Sequence, residues 1–158
     1  MTGQSTTAQF NVPVDHRLFL LVDNGQRARI FSFPNKLIAV TQGYAAIRTG
    51  IAMGNVRLKV EVRDQEPASM DLANWEEVVE ISFDATVGQV RVESVDDATP
   101  APAFPVLTPH GPGHYRIRVH ARGRHIAFDK AVSEPVEDYL LQIWPAAPTP
   151  QLICKQIS

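Results

Sequence analysis

The sequence has little cysteine, no long apolar run and no strong excess of either charge. Its single cysteine, Cys154, excludes an internal disulfide, and its place in the apolar run 152–154 predicts a buried, inert thiol. The formal net charge of −2 over 158 residues is nearly neutral, whereas proteins that bind nucleic acid in general are basic overall. Nucleic acid is therefore disfavoured as a partner.

Targeting and membrane signals are also missing. Residues 1–9 are polar and uncharged, without the basic start and apolar centre of a secretory signal. The longest apolar stretches, such as residues 18–22, are much shorter than the roughly 20 residues that cross a bilayer as a helix. These absences predict a cytoplasmic protein with no membrane association. The length predicts one domain, spanning residues 1–158, and leaves the oligomeric state open.

The sequence does contain a clear alternation of apolar and polar residues with a period of two. In residues 55–63 every second side chain is apolar, and those side chains are Val56, Leu58, Val60 and Val62. Successive side chains of a strand point to opposite faces, so the segment predicts a strand with one face in the core and one in water. Residues 114–122 repeat the pattern and predict a second such strand.

The same reasoning predicts further strands, at residues 8–14, 17–22, 27–33, 36–42, 75–85, 89–95, 139–144 and 152–157. Turn residues separate them. Asn24 and Gly25 suit a hairpin turn, and Gly88 suits a turn that joins 75–85 to 89–95 as a hairpin. About nine or ten short strands with little helix predict an all-β chain, folded as an antiparallel β-sandwich.

Two irregular stretches interrupt the predicted strands. Residues 96–113 carry five prolines and predict a long Pro/Gly-rich loop, which in a compact domain is either functional or mobile. Residues 43–54 carry three glycines but lack the Lys-Ser or Lys-Thr pair of a phosphate-binding loop. Turns and bulges are therefore predicted there.

The strongest charge feature is a basic stripe near the end of the chain. Alternation places its first four members on one outward face of a strand, about 6.6 Å apart, and two more follow. The stripe consists of Arg116, Arg118, His120, Arg122, Arg124 and His125. Such a row can hold a protein partner with an acidic surface, a phosphate backbone or an anionic ligand. The favoured interpretation is a solvated strand face whose charges pair across strands with carboxylates such as Glu61, Glu80 or Glu93.

A second candidate site is a cleft beneath the loop 96–113, with His110, His114 and Trp144 as its binding residues. It would suit a small molecule or a metal, and it leaves an enzyme open as the alternative function. No catalytic residue is assigned, because the sequence has no Gly-x-Ser-x-Gly elbow. No metal ligands and no cofactor are predicted, because the close histidine pairs straddle turns rather than one helix face.

Several of these elements resemble a known family. The shared positions are Gly43, Tyr44, Arg48, Gly50, Gly54, the alternating strand 56–62 and the run 113–119. On these residues the chain resembles the bacterial competence protein J family. It also resembles a wider set of uncharacterised bacterial β-sandwich proteins through the runs 113–123 and 139–145.

The resemblance implies a small β protein, and the role it implies is inhibition of a DNA-entry nuclease by direct binding. No inhibitory residue is carried over, because the matched positions are mostly turn glycines and strand alternation. The leading prediction is accordingly a non-enzymatic binding protein, of nuclease-inhibitor or immunity-like type. An inhibitor that mimics nucleic acid would present acidic groups rather than arginine, which weighs against the nuclease form of this prediction.

Overall fold

The structure is a computed structural model that describes residues 5–30, 32–96 and 101–157. These residues form ten strands and no helix. The strands are β1 (Ser5–Val14), β2 (Leu18–Asp23), β3 (Ile38–Thr41), β4 (Tyr44–Arg48), β5 (Gly54–Arg63), β6 (Glu77–Ala85), β7 (Val90–Ser94), β8 (Gly113–Arg122), β9 (Asp138–Pro145) and β10 (Leu152–Lys155). The predicted all-β class is confirmed.

The strands form two sheets. Six of them pair in the order β1-β5-β9-β8-β6-β10, and the other four in the order β3-β4-β2-β7. The prediction of a purely antiparallel arrangement is wrong, because β5 and β9 are parallel neighbours, with Val60 opposite Leu141. Parallel neighbours need a long crossover, which residues 64–137 supply. Alternation along one strand carries no information about the direction of the strand beside it.

Apolar side chains of both sheets meet in one core. On β5 the alternating residues Val56, Leu58 and Val60 are fully buried, as predicted. From the smaller sheet, Phe19 packs edge-on against Tyr139 with the ring centroids 5.4 Å apart. Each fully buried side chain of this size contributes about 1.5–3 kcal/mol relative to an exposed one. A core shared by two sheets supports the sandwich arrangement, which stays a prediction.

One predicted hairpin is wrong. β6 and β7 belong to different sheets, so the turn around Gly88 carries the chain from one sheet to the other. The buried carboxylate of Asp23 fixes this crossing, because it accepts hydrogen bonds from three successive backbone N–H groups of the turn at 2.7–3.2 Å. Asn24 and Gly25 take left-handed conformations, with φ of 41° and 82°, but no strand follows them directly.

Two further strand assignments need correction. Residues 27–30, 32 and 33 form no strand, and Phe31 lies outside the described residues. The strand that sequence reasoning missed is β4, which lies in the glycine-bearing stretch 43–54. Its first four side chains are all buried, so both faces are apolar and the sequence shows no alternation.

The described part of the loop 96–113 packs onto the core. Phe104 and Leu107 are 3% and 0% exposed, and the Thr108 hydroxyl accepts a hydrogen bond from the backbone N–H of Val90 at 3.1 Å. Residues 97–100 of this loop lie outside the described residues. Residues 101–112 therefore extend the core beside β7.

Candidate functional site

The predicted basic stripe does not lie on a water-facing strand surface. Arg116, Arg118 and His120 of β8 are only 6%, 2% and 1% exposed. Loop segments lie over this face of the six-stranded sheet, and the carbonyls of Ser69 and Thr149 accept hydrogen bonds from the two arginines. The prediction of an outward, solvated row is therefore wrong for these three residues, since alternation cannot reveal which strand face a loop will cover.

A carboxylate lies between the two buried arginines. Glu80 of β6 is itself buried and accepts a hydrogen bond from Nε of Arg116 on one oxygen and from Nε of Arg118 on the other, both at 2.9 Å. This is the predicted cross-strand pairing with Glu80, whereas Glu61 and Glu93 bind other residues. Removing one member of such a group would leave a buried charge without its partner, and the burial of both arginines closes them to a partner.

The next two members of the stripe contact Trp75. The His120 ring lies 5.5 Å from that of Trp75, and its Nδ1 is 3.0 Å from the Leu140 carbonyl oxygen, to which it can only donate. Burial lowers the pKa of His120, so the imidazole is neutral at neutral pH. Arg122 is half-exposed, lies 4.7 Å above the Trp75 ring and pairs with Asp138 at 3.0 Å.

The predicted cleft residues have separate partners. The exposed His110 pairs through Nε2 with Asp64 at 2.9 Å, and the exposed His114 lies 4.0 Å from Asp84. Trp144 is 2% exposed and packs on the face of the sheet that carries the buried arginines. A binding role for these three residues stays a prediction.

A cavity opens beyond the end of β8. Arg124 and His125 line it, and its volume of about 550 Å³ lies within the range of roughly 300–1,000 Å³ that is usual for ligand pockets. Three more cations and two phenylalanines contribute to the same wall. The residues that carry its chemistry are Arg17, Phe33, Lys36, Arg48, Arg124 and Phe128. We call these six residues the cationic basin.

The cationic basin lies where one end of each sheet comes together. In the four-stranded sheet, β2 begins at Leu18 directly opposite Arg48, which ends β4. The backbone N–H of Arg48 donates to the Leu37 carbonyl at 2.8 Å, which brings the turn 33–36 alongside. In the six-stranded sheet, Glu77 begins β6 beside the end of β8. Strand pairing thus gathers residues that are distant in sequence.

Two of the four cations of the cationic basin have a left-handed backbone conformation. Arg17 has φ of 62° and Lys36 has φ of 67°. Residues with a Cβ rarely adopt this conformation, which costs about 1–3 kcal/mol and concentrates at functional sites. Short turns hold both residues there: Leu18 N–H donates to the Asp15 carbonyl at 3.0 Å, and Lys36 N–H to the Phe33 carbonyl at 2.9 Å. The backbone therefore singles out these two cations as candidate binding residues.

The guanidinium groups of Arg17 and Arg48 face aromatic rings. Arg17 lies 4.3 Å from the centroid of Phe128, and Arg48 lies 5.1 Å from the centroid of Phe33. Within the described ranges, neither guanidinium has a carboxylate as an ion-pair partner. Cation–π contacts contribute roughly 0.5–1 kcal/mol at exposed sites. The Nε of Arg17 donates to the Thr49 carbonyl at 3.2 Å, which leaves its two terminal nitrogens for an anion.

The charges of the basin repel one another. Burial lowers the pKa of Arg17, and the neighbouring charges of Arg48 and Arg124 lower it further, while Asp129 and Glu137 oppose the shift. Burial and the neighbouring cations therefore disfavour the charged form of Arg17. An anion bound between these guanidinium groups would relieve the repulsion.

Arg124 forms the inner wall of the basin. Its Nη1 donates to Glu77 at 2.5 Å and its Nη2 to the Lys36 carbonyl at 2.7 Å, while its Nε is buried with no hydrogen-bond partner among the described residues. Gly50 allows this close approach, because a Cβ there would lie 1.9 Å from the Arg124 carbonyl oxygen. Among the described residues that line the cavity, Glu77 is the one carboxylate and there are four cations, so this part of the wall carries a net charge of +3.

Apolar side chains are exposed on the loop that follows β8 and at the end of the described chain. Ile126, Phe128 and Ile157 are 59%, 56% and 52% exposed, and the last two line the cavity. Arginine and aromatic residues together are characteristic of protein-binding hot spots. The arrangement can hold an anionic group and an apolar group side by side.

Sequence reasoning found only the part of the basin that belongs to the stripe. Arg17 and Lys36 lie in turns and Arg48 at a strand end, where alternation gives no signal. The available clue was weak: Arg17 follows the polar pair at 15 and 16, and Lys36 follows Pro34 and Asn35, as turn residues do. Neither clue shows that the two turns meet.

In residues 5–30, 32–96 and 101–157, no group of three or more His, Cys, Asp or Glu side chains is placed to hold a metal ion. The buried carboxylate of Glu137 is occupied, because it accepts hydrogen bonds from the N–H groups of Gly50 and Ile51 and from the Tyr139 hydroxyl. The described part of the chain also contains no helix long and apolar enough to cross a membrane.

Comparison with known proteins bears on the fold. No family model and no curated protein matches the sequence. Among solved structures, ComJ from Bacillus subtilis, described as an inhibitor of the DNA degrading activity of NucA, matches with a TM-score of 0.58 and 10% identity, over 92% of this chain and 100% of that one. A protein described as crocagin biosynthetic gene J matches with a TM-score of 0.55 and 13% identity, over 91% and 99%. The chain therefore has a ComJ-like fold, as the sequence resemblance predicted.

Proposed function

We propose that this chain is a non-enzymatic binding protein that holds an acidic protein partner at the cationic basin, and that the partner is a nuclease which it inhibits by direct contact. The observation that carries the proposal is the pair Arg17 and Arg48, which face aromatic rings and have no ion-pair partner within the described ranges. A carboxylate of the partner would supply the missing counter-charge.

The physics of interfaces supports a protein as the partner. Interface hot spots are enriched in arginine and in aromatic residues, and they are surrounded by apolar side chains that exclude water. Here the exposed Ile126, Phe128 and Ile157 provide such apolar surface. A guanidinium group also forms a bidentate contact with a carboxylate, which adds direction to the attraction.

The fold likeness supports the nuclease form of the proposal. ComJ, named as an inhibitor of the DNA degrading activity of NucA, has a similar fold. A cationic inhibitor would not imitate DNA. It would instead bind a carboxylate of the nuclease, which a guanidinium group contacts through two parallel hydrogen bonds. An inhibitor of this kind needs arginine, rather than the acidic groups of a nucleic-acid mimic.

The proposal also includes a single domain and a cytoplasmic location. A single domain across residues 1–158 is supported by the core that both sheets share. A cytoplasmic location is also retained. The alternative function is a small-molecule site. The volume of the cationic basin suits such a ligand, so this alternative is supported at the basin and not near the loop 96–113.

Charge reversal tests the proposal directly. Extract of the host organism is fractionated, and each fraction is assayed for degradation of a fluorescent linear DNA duplex, with and without the purified chain. We expect stoichiometric inhibition in at least one fraction. The double variant Arg17→Glu, Arg48→Glu should lose at least about 30-fold in inhibition, since one hot-spot residue alone contributes 2 kcal/mol or more.

The matched control is Arg91→Glu, which reverses an exposed charge on β7 that does not line the basin. It should inhibit like the wild type, and all three proteins should unfold at similar urea concentrations. The proposal fails if the wild type inhibits no fraction, or if the double variant inhibits as well as Arg91→Glu does.

A further inference from the structure

The cationic basin has a composition that restricts its ligand. Apolar and aromatic side chains share the wall with the cations: Leu18, Ile30, Phe33, Phe128 and Ile157 all contribute. A small inorganic anion would satisfy the guanidinium groups and leave this apolar surface in contact with water. A ligand that fills the basin therefore needs both a negative group and an apolar group.

The hydrogen-bond donors favour a carboxylate over a phosphate. Phosphate sites commonly use backbone N–H groups, at a helix N-terminus or in a concave turn. Beside this basin, the N–H groups of Gly50 and Ile51 already donate to Glu137, at 3.0 and 2.6 Å. The donors that remain are side-chain cations: the terminal nitrogens of Arg17, whose Nε donates to the Thr49 carbonyl at 3.2 Å, the guanidinium group of Arg48 and the amine of Lys36. A guanidinium group matches carboxylate and phosphate alike, so the preference for a carboxylate comes from the occupied backbone N–H groups.

The spacing of charge and ring restricts the ligand further. Each guanidinium carbon lies only 4.3 or 5.1 Å from the centroid of its ring. A carboxylate held at either guanidinium group therefore lies close to a ring. An apolar group carried on the same residue as that carboxylate can reach the ring.

We infer that the cationic basin binds a carboxylate carried on the same unit as an aromatic or large aliphatic group, as in the C-terminal residue of a peptide or a free aryl-alkyl acid. Arg17 and Arg48 hold the carboxylate, and the apolar group lies between Phe33 and Phe128. This inference rests on the proposed function, because it names the group by which the partner would be anchored.

Fluorescence polarisation with short peptides tests this chemistry. The probe is the peptide Gly-Ser-Gly-Phe with a free C-terminal carboxylate, labelled at its N-terminus with an uncharged boron-dipyrromethene dye that has no carboxylate. Its comparisons are the same peptide with a C-terminal amide, and Gly-Ser-Gly-Ser with a free carboxylate. We expect saturable binding of the probe, and at least tenfold weaker binding of both comparison peptides.

Variants locate the bound probe. Arg17→Glu with Arg48→Glu should abolish probe binding, whereas Arg91→Glu should leave it unchanged. Phe128→Ala removes a half-exposed ring and should weaken binding at least fivefold without loss of fold. Its control is Val87→Ala, an exposed apolar residue in the turn between β6 and β7, which should bind like the wild type.

Two competitors identify the source and the chemistry of the ligand. Competition by 3-phenylpropionate at an affinity close to that of the probe would indicate a free acid as the natural ligand, and competition only by peptides would indicate a C-terminus. Either outcome supports the inference. It is overturned if the amide binds as well as the acid, if phenyl phosphate binds more tightly than phenylpropionate, or if no probe binds.

The two proposals can fail separately. Inhibition of a nuclease that depends on Arg17 and Arg48, combined with no binding of any probe, would retain the inhibitor and reject the carboxylate anchor. Probe binding that depends on the same arginines, combined with no inhibited fraction, would retain the anchor chemistry and reject the nuclease as partner.

Discussion

Arg116 and Arg118 on one sheet and Arg17 and Arg48 at the end of the other carry the same guanidinium group in opposite surroundings. The first pair is buried on both sides of Glu80, which accepts a hydrogen bond from each. The second pair faces phenylalanine rings and has no carboxylate partner within the described ranges. The first pair has exchanged water for a fixed counter-charge, and the second has not.

This difference separates a structural charge from a binding charge. A buried charge must be paired, because its desolvation costs several kcal/mol. A charge in an open cavity keeps part of its hydration and can exchange that water for a ligand. Removing charge should therefore unfold the protein in the first region, and it should weaken binding with little loss of stability in the second.

The largest expected effect comes from Glu80→Gln. The substitution keeps the shape of the side chain but leaves Arg116 and Arg118 buried without their shared counter-charge. We expect the free energy of unfolding, measured by urea titration, to fall by about 3–5 kcal/mol.

Its control is Glu93→Gln, at a pair with Arg27 in which both side chains are more than a third exposed. Surface pairs contribute about 0–1 kcal/mol, so this variant should stay close to the wild type. Equal losses for the two variants would contradict the distinction between paired, buried charge and exposed charge.

A smaller effect of opposite sign is expected at Lys36. Its left-handed φ of 67° suits glycine better than lysine, and its side chain is exposed. Lys36→Gly should raise the free energy of unfolding by about 0.5–1 kcal/mol, whereas Lys36→Ala keeps a Cβ and should bring no gain.

Both variants at Lys36 should weaken binding of the carboxylate peptide by a few fold, because both remove the same rim charge. The measurements are urea unfolding and fluorescence polarisation on the same protein preparations. A loss of stability in Lys36→Gly would show that the Lys36 side chain supports the fold. Lys36 would then be a structural charge, like Arg116, and not a binding charge of the basin.

Strand alternation explains which parts of this architecture could be predicted. Val56, Leu58 and Val60 alternate because one face of β5 is buried and the other is polar, so period two revealed the strand. The strand β4 is buried on both faces and therefore has no period to read. Arg116 and Arg118 alternate like surface residues, but the loops that cover them are distant in sequence.

The basin illustrates a second limit of sequence reasoning. Arg124 and His125 were identified because they continue the stripe. Arg17, Lys36 and Arg48 come from three different segments, and only the pairing of β2, β3 and β4 brings them together. Pairing is a long-range property, which the local pattern of one strand does not encode.

The smallest expected effect concerns His120, the third member of the buried row. Its Nδ1 donates to the Leu140 carbonyl, a bond that the neutral and the charged ring can both form, so burial is what disfavours the charged form. Burial lowers its pKa below the ordinary value, with a smaller contribution from Arg118. The unfolded chain therefore binds a proton at a higher pH, near 6.5, than the folded protein does.

The sign of the pH dependence follows from this order. Between the two pKa values of His120 the unfolded state carries more protons than the folded state. The contribution of neutral His120 to the free energy of unfolding is therefore fully present above about pH 6.5 and is lost as pH falls through the pKa of the folded state. We expect urea stability to decline from pH 7 to pH 5, and His120→Gln, which keeps a donor for Leu140, to decline less. The lowered pKa values of Asp71 and Asp138 act below this window. Equal declines in both proteins would mean that His120 is hydrated and charged in the folded protein. His120 would then remain in the buried row without a counter-charge, whereas Arg116 and Arg118 are paired there with Glu80.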